Sequence, residues 1–276
     1  MDREFLSVLR ATPAFDSIVK TVLAKGPEIV MKAKYLGGAV RATADQCPDI
    51  YKQLSSVCNV LGIKEPELYI SGEAEPNAFT FGDKNPIVII TAGLLDRVSK
   101  DELQGIIAHE CGHIACHHVL YHTVVSLLLG GSASFFKLNT IITTALALKM
   151  FQWYRASEYS ADRAAAVALK NPDMIQHGLM KIMAGNSPII RQISKEEIIR
   201  QADEMDKYID SFWEKMVTFF FVSGTMVHPF TCFRIRELQK WQDSGEFDKV
   251  FLNDDGVSMD LEEHKNSENT LRNVGL

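Results

Sequence analysis

The stretch Ile107–His118, "IAHECGHIACHH", holds four histidines, one glutamate and two cysteines in twelve residues. Just upstream, Ser99-Lys100-Asp101-Glu102 has the Ser-x-x-Glu pattern of a capping box, so the spacing predicts a helix that starts there and carries the stretch. Apolar Leu103, Ile106, Ile107 and Ile114 predict that this helix is buried. On a helix, His109 and His113 lie about 40° apart and about 6 Å along the axis. Two imidazoles so placed can grip one ion. Glu110 lies about 60° round from His113, where it flanks the ion and suits a base acting on a nearby water. This is the mechanical content of His-Glu-x-x-His. His117 is about 12 Å along the axis from His109, too far to share its ion. A His113/His117 pair is sterically open but has no carboxylate between its members. On a continuing helix His118 points to the opposite face, and Cys111 also faces away.

A third ligand has to come from elsewhere. The segment 153–170, "WYRASEYSADRAAAVALK", is Ala-rich and free of Gly and Pro, hence helical, and Asn171-Pro172 ends it. Glu158 and Asp162 form an i, i+4 pair on one face. Ala156, Ala161, Ala164, Ala165 and Ala166 allow another helix to approach closely. Glu158 completes a His₂Glu zinc site with a fourth position left for water. Asp162 is placed to accept the outer N–H of a ligating histidine. The alternatives are an exposed acidic pair near Arg155 and Arg163 and a solvated His-rich helix. Burying an unmetallated His-Glu-His cluster leaves unsatisfied polar groups, which is costly.

Outside these two helices the period changes. Residues 1–60 read as mostly helical, broken at Pro27 and Gly37-Gly38. "DIYKQLSSVCNVLGI" (49–63) has helical spacing of Ile50, Leu54, Val57 and Leu61. "ELYISG" (67–72), "NAFTFG" (77–82) and "PIVIITAG" (86–93) read as strands, the last two forming a hairpin across "GDKN" (82–85). A second capping box, Ser194-Lys195-Glu196-Glu197, opens a helix through about Phe219. Pro229 sits in the first turn of a last helix towards Trp241. The expected fold is α+β, mainly helical, with a small three-stranded sheet. The expected organisation is a helical segment 1–47, a catalytic domain 48–252 and a polar tail 253–276.

Composition excludes some classes. The chain has 276 residues, 46% hydrophobic and 23% charged, with a formal net charge of −6. No basic cluster supports nucleic-acid binding. Five cysteines without a framework spacing, and an N-terminus without a basic then apolar signal pattern, fit reduced thiols in a cytoplasmic protein. Segment 119–151 carries no Asp, Glu or Arg, and only His122, Lys137 and Lys149 as basic groups. It reads as two core helices joined at Gly130–Ser132. Peripheral membrane contact and a short spanning hairpin stay open as alternatives.

Taken together, "LQGIIAHECGHI" and "SEYSADRAAA" resemble the zinc metallopeptidases that include the HtpX heat-shock proteases, the Oma-type proteases and the CAAX prenyl proteases. His109, Glu110, His113, Glu158, Ala161 and Asp162 match the shared His-Glu-x-x-His then Glu-x-x-Ala-Asp pattern. "PNAFTFG" (76–82), "IVIITAGLLDRVSKDELQGIIAHE" (87–110) and "HPFTCFRI" (228–235) are similar to further family segments in the same order, over residues 48–245. The chain looks like a compact variant without clear transmembrane spans.

The resemblance implies a gluzincin-like peptidase with one Zn²⁺ per chain. It implies His109, His113 and Glu158 as ligands, Glu110 as general base, and His228 and Arg234 near the metal. Read from the residues alone, His228 is a packed core histidine and Arg234 a surface charge. The resemblance further implies that Asn77, Ala78, Phe79 and Thr80 form an edge strand facing the cleft, where polypeptide substrates bind by strand addition. The expected function is a metalloendopeptidase in protein quality control. A self-capped zinc-bearing binding or chaperone-like module, and a metal-free scaffold, are the alternatives.

Overall fold

The computed structural model describes residues 27–82, 84–123, 140–185, 188–208 and 230–252, with backbone alone over 27–28 and 140–152. The expectations for His228, Pro229, Gly130–Ser132, 209–219 and the 253–276 tail lie outside the described residues.

Helix α1 (Pro27–Gly38) opens the described chain and leads into strand β1 (Val40–Ala42), then helix α2 (Pro48–Leu61). Strands β2 (Glu67–Ser71), β3 (Ala78–Phe81) and β4 (Ile87–Thr91) follow. The sheet has four strands in the order β1-β2-β4-β3, which corrects the expected three. The extra strand is Val40-Arg41-Ala42, paired antiparallel to β2. Three residues are too few to show an alternation, so its period was invisible. β2 and β4 run parallel, and β3 pairs antiparallel to β4 as the hairpin spacing predicts.

Every residue of β4 is buried. Val88 and Ile90 join Leu68 in the main core, while Ile87 and Ile89 pack with Tyr69 and with Tyr35 of α1. Apolar side chains on both faces are why the run Ile87–Ile90 does not alternate. β3 alternates on the same two faces. Ala78 packs toward the main core, and Phe79 sits edge-on to Tyr35 with ring centroids 6.0 Å apart.

Helix α3 (Lys100–Ala115) begins at the predicted capping box. The Glu102 amide donates to Ser99 Oγ at 3.3 Å, and the Ser99 amide donates to Glu102 Oε2 at 2.7 Å. Helix α4 (Thr140–Leu169) starts earlier than the predicted 153 and ends as predicted before Asn171-Pro172. Helices α5 (Pro172–Ala184), α6 (Lys195–Tyr208) and α7 (Thr231–Asp243) complete the described core. Ser194 caps α6, its Oγ accepting from the Glu197 amide at 3.3 Å. No helix among the described residues is long and apolar enough to cross a membrane.

The crossing of α3 and α4 positions the site. At Gly112 an added Cβ would lie 2.9 Å from the Ala161 carbonyl oxygen and 3.1 Å from Ala164 Cβ. The two helices therefore touch nearly backbone to backbone. The small residues of α4 noted in the sequence supply one side of that contact, and Gly112 supplies the other. Their contact lies in the main core, with Leu54, Val57, Leu103, Ile107, Ile175 and Ile235 in the same cluster.

Candidate metal centre

Three side chains from α3 and α4 converge. His109 Nε2 and His113 Nε2 are 3.1 Å apart. His109 Nε2 is 3.4 Å from Glu158 Oε2, and His113 Nε2 is 3.4 Å from Glu158 Oε1. Zinc bound at about 2.0–2.1 Å to tetrahedral N/O ligands separates those ligands by about 3.3 Å. The observed spacings match that, so the donor set fits a small tetrahedral cation. Glu158 is 0% exposed, so the reading of an exposed acidic pair does not hold.

The far side of His109 is equally organised. Its Nδ1 lies 3.0 Å from Asp162 Oδ1. Arg234 from α7 forks Asp162, with Nε donating to Oδ2 at 2.8 Å and Nη2 to Oδ1 at 2.6 Å. Arg234 Nη1 is 3.5 Å from Glu158 Oε2. At 8% exposed it is no surface charge, which corrects that expectation. A lone arginine in an amphipathic stretch gives no sign of this. Its burial is set by two carboxylates on a helix far away in sequence.

Electrostatics follow from the packing. Burial alone would lower the pKa of metal-free His109, but hydrogen bonds to Asp162 and Glu158 outweigh it and hold the pKa at about 10. Burial alone would raise Asp162, but the Arg234 guanidinium outweighs it and holds the carboxyl below its ordinary value. Arg234 itself is pushed up by Asp162 and then Glu158, against the effect of its own burial. With the imidazoles neutral, Glu110, Glu158 and Asp162 face one guanidinium, a formal excess of two negative charges. A divalent cation on neutral imidazoles balances that excess.

A consequence is measurable. A metal takes neutral imidazole, so loading the site at neutral pH expels the proton that His109 holds with a pKa of about 10. The sign is fixed: metal competes with protons below that pKa, so affinity rises with pH. The apparent Kd for zinc is expected to fall about tenfold per pH unit between pH 7 and 9. Competition titration against a chromophoric chelator measures it, and a pH-independent Kd sinks the assignment of His109 as the protonated partner.

Glu110 does not join the three convergent donors. Thr80 Oγ1 of β3 donates to Glu110 Oε2 at 2.7 Å and lies 3.3 Å from its backbone oxygen. The edge strand thus reaches the helix beside the site. Asn77 is tied inward: its amide donates to Thr91 Oγ1 at 2.8 Å and its carbonyl accepts from the Thr91 amide at 3.0 Å. By antiparallel alternation the main chains of Ala78 and Thr80 face outward and those of Asn77 and Phe79 face β4. Among the described residues no strand pairs with that outer side.

Two further expectations need comment. Cys111 faces away as expected, its Sγ 3.9 Å from Cys58 Sγ in the core. None of the cysteines at 47, 58, 111, 116 and 232 forms a disulfide. His118 does not point to the opposite face. α3 ends at Ala115, and His117 adopts a left-handed φ of 58°. That turn returns His118 to His113, with Nδ1 to Nδ1 at 3.1 Å. No glycine marks the turn, and histidine at positive φ is an uncommon choice that the helical period cannot announce.

Comparison with known proteins bears on this geometry. The sequence profile of Peptidase family M48 matches residues 44–242. The chain belongs to that family. The family and the names of its relatives identify it as a metalloprotease, a hydrolase of HtpX-like type. It is 28% identical over 252 residues to the plastoglobule-localized metallopeptidase 48 of Arabidopsis thaliana, covering 89% of this chain and 72% of the relative. It is 28% identical over 195 residues to a protease HtpX homolog of Dictyoglomus turgidum, covering 60% of this chain and 63% of the relative. The chain thus spans less than two thirds of the length of that HtpX homolog. No solved structure matches.

Proposed function

We propose that this M48 chain is a zinc-dependent endopeptidase that cleaves extended or unfolded polypeptide, with Glu110 as general base. The observation that carries the reading is the convergence of His109, His113 and Glu158 with donor separations of 3.1–3.4 Å. These three residues would hold one Zn²⁺ per chain. When bound, zinc supplies Lewis acidity, polarising a carbonyl and making a neighbouring water more acidic.

The chain's own groups do the rest. Asp162 accepts from His109 Nδ1 and keeps Nε2 turned to the ligand position. Arg234 holds Asp162 and Glu158 in place, which makes it a positioning residue. The Glu110 carboxylate takes the proton of water as its oxygen bonds to the peptide carbon, then returns that proton to the nitrogen as the C–N bond breaks. Thr80 orients Glu110 through Oε2. The substrate adds as a strand to β3, hydrogen-bonding the outward main chains of Ala78 and Thr80. A strand held there runs beside Glu110, so recognition and chemistry share one residue, Thr80. Strand addition reads backbone more than side chain, which suits unfolded clients and a quality-control role. We place the chain in the cytoplasm; Val119, Tyr121 and Thr123 at the start of 119–151 are buried, which favours core packing over membrane contact for that part of the segment.

The test uses the purified 276-residue chain with its zinc content measured. Casein cleavage is expected with near-stoichiometric zinc, lost on chelation and restored by zinc. Intact casein and an intact peptide library at full zinc loading sink the reading in favour of a binding module.

A further inference from the structure

His113 offers Nε2 to the three-donor cluster, which leaves only Nδ1 on its outer side. Nδ1 meets Nδ1 of His118 at 3.1 Å. A neutral imidazole that gives one nitrogen to a metal carries its proton on the other. Two ring nitrogens at hydrogen-bond distance need one proton between them. With its Nε2 on a metal, His113 would supply it, and His118 would accept at Nδ1 and carry its own proton on Nε2.

The turn after α3 brings the two rings together. With His117 left-handed, the His117 amide donates to the Ile114 carbonyl at 3.0 Å and the His118 amide to the His113 carbonyl at 2.9 Å. This closing pattern satisfies the last carbonyls of the helix. It also folds His118 back under the ring of its own helix's second histidine. His118 is 1% exposed. Its ring is stacked on His122 with planes 14° apart and edge-on to Trp153 at 5.7 Å. His122 is stacked in turn on Tyr154 at 4.0 Å, and its Nε2 lies 2.7 Å from Ser157 Oγ. α4 therefore clamps His118 from behind, with side chains less than two turns before Glu158.

We propose that His118 is a positioning residue that fixes the proton of His113 on Nδ1 and the ring's orientation toward the metal. It does for His113 what Asp162 does for His109. The proposal rests on the reading of His113 as a metal ligand. Nitrogens of His113, His118 and His122 also lie within 4.8 Å of one another, the spacing of a second cation site. A cation there would take Nδ1 of His113 while Nε2 serves the first group, stripping the ring of its last proton. The hydrogen-bonded pair avoids that.

The experiment measures zinc affinity and stoichiometry on the full chain by competition with a chromophoric chelator, and melting of the metal-free chain. The variants are His118→Phe, which keeps a packed ring without an acceptor, and His118→Asn, whose Oδ1 stands near the Nδ1 position. The parent binds one zinc. His118→Phe is expected to weaken binding about 10–100-fold. His118→Asn is expected to recover most of that loss, although it melts no higher than the Phe variant. Equal losses in both variants reduce His118 to packing and overturn the proposal. Two zinc ions in the parent, one of them lost in either variant, also overturn it and make the three-histidine group a metal site. Unchanged affinity in His118→Phe overturns it while leaving the ligand set intact. A parent that binds no zinc overturns both this proposal and the one it rests on.

Discussion

Glu110→Gln keeps its zinc and loses about 10²–10⁴-fold in turnover of an unfolded protein, the span typical for removing a positioned general base. The amide has the size of the carboxylate and retains an oxygen that can accept from Thr80 Oγ1, now bonded at 2.7 Å to Oε2. Packing and strand position are therefore conserved, and so is the convergent trio, to which Glu110 does not belong. What disappears is a group able to take a proton from water and return it to nitrogen. The measurement is steady-state cleavage of casein or a quenched peptide, with metal content assayed on the same sample. Parent-rate cleavage by this variant means that another group is the base.

Glu158→Ala strikes the other half of the site. Its carboxylate is buried and lies 3.4 Å from the Nε2 atoms of both His109 and His113. Without it only two nitrogens remain, and zinc affinity is expected to fall by at least about 100-fold, the upper end of what losing an outer partner does. Glu158→Gln keeps an oxygen in place but removes the charge, so its affinity should lie between the two. Both chains are expected to keep their helical circular dichroism, since Arg234 remains forked on Asp162 at 2.6 and 2.8 Å. Zinc held by Glu158→Ala at the parent affinity means that the ion sits elsewhere.

Local chemistry was legible wherever one element was enough. The Ser99–Glu102 box started α3 where its spacing said, and the i, i+4 spacing placed His109 beside His113. The Asn77–Thr91 hairpin followed from two short β-branched and aromatic runs flanking a turn. The missing details share a cause. β1 is three residues long and exists because β2 presents an edge to it. The left-handed His117 ends α3 without a glycine to announce it. Read from the residues alone, Arg234 is a surface charge, and only the family resemblance set it near the metal; Asp162 and Glu158 facing it are what bury it.

The sequence by itself determined which residues could form the site, because helical period and residue chemistry are properties of a short window. Their convergence was decided by tertiary structure. Gly112 against Ala161 lets α3 and α4 meet nearly backbone to backbone. Only at that separation do side chains some forty-five positions apart share one small space. The pairing of Thr80 with Glu110 was decided there too, because contact across elements depends on where whole helices and strands pack, which no local pattern encodes.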